Sequence, residues 1–284
     1  PLVLIGVLVV IGEGLVPVPR SSQRPGMRRT SLIPLGRGGL GVSAAFVVLI
    51  ALAVAVPVGV LIYWLVTSQH ATLPAQATVW QATLTTCEYC AGGARLAVLF
   101  ALPIALLSAR RRRGIPLIIE RSTYLTLALP GVVIAVSLIF LTLRFAFAIY
   151  ETSWLVMIGY AIITFPLALS CMKTSVRQAP PQLATVGRSL GRSAPYVFFH
   201  VTLPLIAPGL IAGFCLVFLT ASTELTATLV LQPPDTVTLT TQFWAFQSET
   251  AYGAAAPYGL VIIVLSMVPG TLLAIWFDRL GQNR

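Results

Sequence analysis

The chain alternates long apolar runs with short stretches of basic and turn-forming residues. A helix needs about 20 predominantly apolar residues to cross a bilayer. Six runs meet that length: Val42–Val66, Thr83–Ala109, Thr123–Leu143, Ser153–Met172, Leu210–Leu231 and Pro257–Phe277. Pro1–Ile11 reads as the cut end of a preceding span, so the sequence is expected to be the later part of a longer polypeptide. Residues 12–41 form a polar linker rich in Arg, Pro, Gly and Ser, and 278–284 a short tail. The expected fold is all-α, a polytopic membrane bundle of six transmembrane helices plus a partial N-terminal one. Residues 42–277 form its membrane domain.

One polar stretch between spans stands apart. From Pro180 to Leu210 the sequence is PPQLATVGRSLGRSAPYVFFHVTLPLIAPGL. Pro180 and Pro181 can open a helix, because proline in a first turn sacrifices no hydrogen bond. Gly191 interrupts the pattern, Pro195 can open a second short helix, and Pro204 is expected to stop it. The stretch therefore predicts a helix–turn–helix outside the membrane, a shape suited to docking on a partner.

This stretch resembles the cytoplasmic loop of ABC importer permease subunits. That loop reads Glu-Ala-Ala, three residues, Gly, nine residues, Ile, one residue, Leu-Pro. Here Thr185-Val186-Gly187 is followed at the same spacing by Gly191, Val201 and Leu203-Pro204. The spacing matches, whereas the triplet lacks its carboxylate. Leu102-Pro103-Ile104-Ala105 and Leu129-Pro130-Gly131 resemble further family elements, as do Glu224-Leu225-Thr226-Ala227-Thr228 and Gln232-Pro233-Pro234. The last two resemble the ferric-iron branch most. The resemblance covers about 78–277 and implies a type I (MetI-like) permease fold. It also implies a separate ABC ATPase subunit, an extracytoplasmic substrate-binding protein and a second six-helix half, fused or separate. Thr185, Val186, Gly187, Gly191, Val201, Leu203 and Pro204 would form the ATPase-coupling loop. Gly187 and Gly191 would permit close approach there, while Val201 and Leu203 would pack the second short helix. Importers of polyamine, thiamine, sulfate or phosphonate use similar permeases.

Composition agrees with the span pattern. Of 284 residues, 57% are hydrophobic and only 9% charged, far below the quarter expected of a soluble domain. All but Arg95 and Arg144 of the 18 Lys and Arg fall in alternate loops and the tail. The positive-inside rule then places these loops and the C-terminus in the cytoplasm of a cell inner membrane. The net charge of +10 is thereby explained by topology, without nucleic acid.

Glu224 is the most informative residue within a span. It lies in FLTASTELTATLVL, where Thr220, Thr223 and Thr228 are expected on its helical face at spacings of three and four. An acid in a span commonly faces a bundle interior and marks a pathway. A structural hydrogen bond is the other reading. In the outer loop 232–256, Asp235, Glu249, Phe243, Trp244 and Phe246 are candidates for binding-protein contact or for an interfacial aromatic belt.

Other motifs are weak. Cys87 and Cys90 stand two residues apart near the outer surface, as a local disulfide or as two ordinary thiols. Cys171 and Cys215 read as packing residues. Gly36-Arg37-Gly38-Gly39-Leu40-Gly41 spells a dinucleotide fingerprint but precedes a membrane span, not an amphipathic helix. No phosphate-binding loop occurs, and His70 and His200 have no catalytic or metal-ligating company. No cofactor, metal site or enzymatic activity is expected. Energy must come from another subunit or from an ion gradient with Glu224 as its coupling site. An intramembrane enzyme would need a catalytic cluster at one depth, and none is evident.

Overall fold

The computed structural model describes residues 39–68, 74–110 and 122–282. Pro1–Ile11, most of the linker, His70, Arg111 to Arg113, Arg121 and Arg284 lie outside the described residues. Among the described residues all regular structure is helical. The helices are α1 (Gly39–Thr67), α2 (Gln76–Arg110), α3 (Gly131–Phe145), α4 (Ser153–Gln178), α5 (Pro181–Ser189), α6 (Ala194–Val197), α7 (Leu203–Ala221), α8 (Thr226–Leu231), α9 (Leu239–Ser248) and α10 (Tyr252–Gln282). Among the described residues five stretches are long and apolar enough to cross a membrane: α1, α2, α4, α10 and Ala194–Ala221.

The third expected span is broken. Thr123–Leu143 resolves into a 3₁₀ turn at Tyr124–Ala128, an extended Leu129, and the 15-residue α3. Proline disfavours helical geometry in the residue before it, so the break falls at Leu129-Pro130.

The fifth span also differs from expectation. It does not run from Leu210 to Leu231: α7 stops at Ala221, four non-helical residues follow, and α8 starts afresh at Thr226. Pro204 does not end a helix either. It occupies the first turn of α7, where its missing N–H costs least. A π-helical turn at Phe198–Thr202 joins α6 to α7, making Ala194–Ala221 one helical course.

The other ends move outward from expectation. α2 begins at Gln76, so Cys87 and Cys90 lie about three turns or more inside the helix. All four cysteines are free. α4 continues to Gln178, carrying Lys173 and Arg177 beyond the apolar run. α10 starts at Tyr252 and runs through Asp278 to Gln282. The outer loop folds into α9, whose N-terminus is buried and closed by a Thr238–Thr241 capping box.

Helices α2, α4 and α7 form the centre. Lipid tails are as apolar as leucine, so close approach of small residues holds membrane helices together. Ala94, Ala97, Ala101 and Ala105 of α2 supply that face, against Ala168, Leu169 and Val217. Gly93 lies against Tyr160, and a β-carbon there would stand 2.7 Å from that of the tyrosine. At Gly209 of α7 the neighbours are Ser175 and the Cys171 carbonyl. A second cluster joins Tyr89, Ile134, Leu138, Leu155, Tyr160, Ala227 and Leu231, tying α3 and α8 to α2 and α4. Helix α1 leans on α10 through Leu61 at Gly259 and Trp64 at Tyr252.

Candidate functional site: a paired helix break and a basic-end loop

Two helices begin side by side in the middle of the bundle. Gly131 opens α3 and Thr226 opens α8; a β-carbon on Gly131 would stand 2.9 Å from Thr226 Oγ1 and 3.0 Å from Glu224 Oε1. Contacts from Tyr89 to Ser153 and from Thr228 to Tyr160 set the depth. At 1.5 Å per residue, Glu224 lies about 16 Å inward of Ser153, near the middle of a layer about 30 Å thick.

The carboxylate is held by local donors. Thr226 Oγ1 donates to Glu224 Oε1 at 2.6 Å, and the Ala227 N–H donates to the same oxygen at 3.1 Å. The carbonyl of Glu224 accepts from Thr228 Oγ1 at 2.6 Å and from Thr240 Oγ1 at 3.4 Å. Tyr160 Oη lies 2.6 Å from Thr228 Oγ1 in a buried contact. Thr228 spends its proton on the carbonyl, so Tyr160 is the donor. A buried relay therefore runs from α4 through Thr228 to the backbone at the break. Helix N-termini favour negative charge, and the start of α8 meets the Glu224 carboxylate directly.

The four pathway candidates are thus not one helical face. Glu224 and Thr228 are joined as described. Thr220 and Thr223 turn to their own backbone, donating to the carbonyls of Leu216 at 2.9 Å and Thr220 at 3.0 Å. Sequence reasoning missed Tyr160, Gly131 and Thr240 as companions of Glu224. Leu129-Pro130-Gly131 was the one available signal. Among the described residues no three His, Cys, Asp or Glu side chains gather as a metal-binding set.

The basic-end loop has its own logic. α5 ends in a Schellman cap: the Arg192 N–H donates to the Gly187 carbonyl at 3.3 Å, and the Gly191 N–H to that of Arg188 at 3.0 Å. Gly191 has φ +78° and open space where a β-carbon would go. Its role in this chain is the left-handed turn, while close approach belongs to Gly187, packed on Val197. Arg192 lies over Tyr196, which stacks on His200. Leu183, Val186, Leu190, Tyr196 and Phe199 are exposed, as is Thr185. Val201 and Leu203 are half-buried and Pro204 is exposed.

At the opposite end, Phe243 packs on Gly259 and Phe246 stacks on Tyr258. These two rings bind α9 to α10, leaving Trp244 exposed. A cleft of about 270 Å³ opens there beside Tyr150, Glu151, Gln232 and Asp235.

The paired helix breaks and the helical basic-end loop belong to a bundle whose long helices are apolar enough to cross a membrane. The chain matches the family of binding-protein-dependent transport system inner membrane components over residues 101–283 and belongs to it. It is 37% identical over 223 residues to the Fe(3+)-transport system permease protein FbpB 2 of Haemophilus influenzae, a match covering 78% of this chain and 44% of that protein. The chain thus spans less than half of that relative. To the molybdenum transport system permease protein ModB of Escherichia coli K12 it is 28% identical over 224 residues, covering 72% of this chain and 96% of the relative. The inward-facing MetNI methionine ABC transporter shares its fold at TM-score 0.53 and 15% identity, over 74% of this chain and 99% of that one.

Proposed function

We propose that the chain is the permease portion of an ABC importer for ferric iron, and that its cargo passes the paired break at Glu224. The observation that carries the pathway reading is the meeting of two interrupted helices at one carboxylate near mid-membrane. Irregular backbone at that depth is tolerated where it is buried in protein or lines a cavity, and transporters build central sites from broken helices. Ferric ion is a hard cation that prefers oxygen, and Glu224, Thr226 and the exposed Thr223 present oxygen. Contacts in a pathway must be weak enough to release cargo, so a saturated metal cage is not required.

Energy comes from a separate ATPase seated on the basic, cytoplasmic end. Its groove receives the loop formed by Thr185, Val186, Gly187, Gly191, Val201, Leu203 and Pro204, where Val186 and its neighbours Leu183 and Leu190 offer apolar contact. A second six-helix half completes the pathway, a binding protein delivers cargo at the opposite end, and the C-terminus is cytoplasmic. The test is uptake of radiolabelled ferric iron into cells carrying the full-length permease, with ATPase co-purification in mild detergent. Uptake should stop on ATP depletion and persist with a protonophore. Uptake that survives ATP depletion and collapses with the protonophore would sink the reading in favour of a gradient-driven carrier.

A further inference from the structure

The helix–helix contacts place Arg95 where a lipid-facing charge is not tolerated. Ser153 to Lys173 spans about 30 Å of α4 at 1.5 Å per residue, the thickness of the apolar layer. Tyr89 of α2 meets Ser153, and Gly93 meets Tyr160. By these two contacts Arg95 lies about 9–13 Å inward of Ser153, well inside the apolar layer and toward the depth of Glu224. It is nevertheless exposed on the back of α2. At 3.6 residues per turn, Arg95 stands roughly 160° around the axis from Ala97 in the packed face. Glu88 lies two turns outward on the same side, also exposed. No described residue hydrogen-bonds or ion-pairs with either.

Ionisable side chains at this depth face a bundle interior or a water-filled cavity. The neighbours decide between these. Leu84 and Leu99 are exposed on the same side as Arg95, and a stripe so apolar suits a packed helix better than water. We infer that the Leu84–Glu88–Arg95–Leu99 face of α2 is covered, in the assembled transporter, by a helix of the second permease half carrying a carboxylate opposite Arg95. Two identical chains about an axis normal to the membrane would hold Arg95 and its copy at equal depth. The covering helix is therefore predicted to differ in sequence from α2 at this position.

This inference rests on the permease reading, yet its test can fail alone. p-Benzoylphenylalanine is placed at Leu99 in the full-length protein in native membranes, leaving Arg95 intact, and adducts are mapped after illumination. The expected adduct is a protein helix bearing Asp or Glu about one turn from the attachment point. Arg95→Glu should lower assembled transporter at least tenfold, and reversing that acid to Lys should restore it. Adducts to lipid alone would overturn the interface. So would labelling of Arg95→Cys by a membrane-impermeant thiol reagent, or normal assembly of Arg95→Glu. Normal ATP-driven uptake alongside any of these would leave the permease reading standing.

Discussion

Replacement of Gly191 tests what the basic-end loop does. The residue sits in the left-handed region with nothing within 4 Å of where a β-carbon would stand, so substitution meets a conformational cost and no clash within this chain. An L-residue in that region costs about 1–2 kcal/mol, with Asn the least penalised. Gly191→Asn should lose well under about 1 kcal/mol, Gly191→Ala about 1 and the β-branched Gly191→Val about 2. A loss of about 1.4 kcal/mol corresponds to roughly tenfold in an equilibrium. ATPase retention should therefore fall modestly for Asn, severalfold for Ala and more than tenfold for Val. The assay is quantitative co-purification of the ATPase with each variant at matched permease levels, with uptake measured in parallel. If Asn fails as badly as Val, the empty space at Gly191 is needed by the partner and the turn argument is refuted. If all three behave as wild type, the loop does not dock.

Three further perturbations address the helix break. Glu224→Gln keeps an acceptor for Thr226 and Ala227, so yield should hold while ferric uptake drops at least tenfold; unchanged uptake would remove the charge from the mechanism. Gly131→Ala places a methyl 3.0 Å from the carboxylate, and should mimic that loss at near-normal yield when both are read by the same uptake assay. Tyr160→Phe and Thr228→Val each cut the relay to the Glu224 carbonyl. Their thermal-stability losses should couple by about 0.6–1.7 kcal/mol, the range for membrane hydrogen bonds, and strictly additive losses would show that the two hydroxyls act independently.

Much of the fold was legible because membrane spans declare themselves by length and apolarity. What the sequence concealed were boundaries within apolar runs. Ser222 to Leu225 carry no proline or glycine, so the end of α7 at Ala221 had no punctuation to mark it. The start of α2 at Gln76 was hidden by polar residues ahead of Thr83. Pro204 reads as a stop in sequence, but the π turn upstream makes it a first turn instead. At the site, Glu224 stood out as an acid in a span. Tyr160 did not, since an aromatic in an apolar helix resembles ordinary packing, and its hydroxyl finds Thr228 only through tertiary structure. The Schellman cap was partly readable from Gly191, whereas its open surroundings were not.

The continuity of Ala194 to Ala221 has a mechanical consequence. At 1.5 Å per residue this 28-residue course is a lever about 42 Å long, with the basic-end loop at its foot and the Glu224 break at its tip. Tilting such a rod by about 5° moves its tip by roughly 4 Å, more than the margin between Gly131 and the carboxylate. The π turn at Phe198–Thr202 and Pro208 are its two compliant joints, one near the foot and one at mid-length. Strain applied there is absorbed early, and the half that reaches the break travels as a stiff arm.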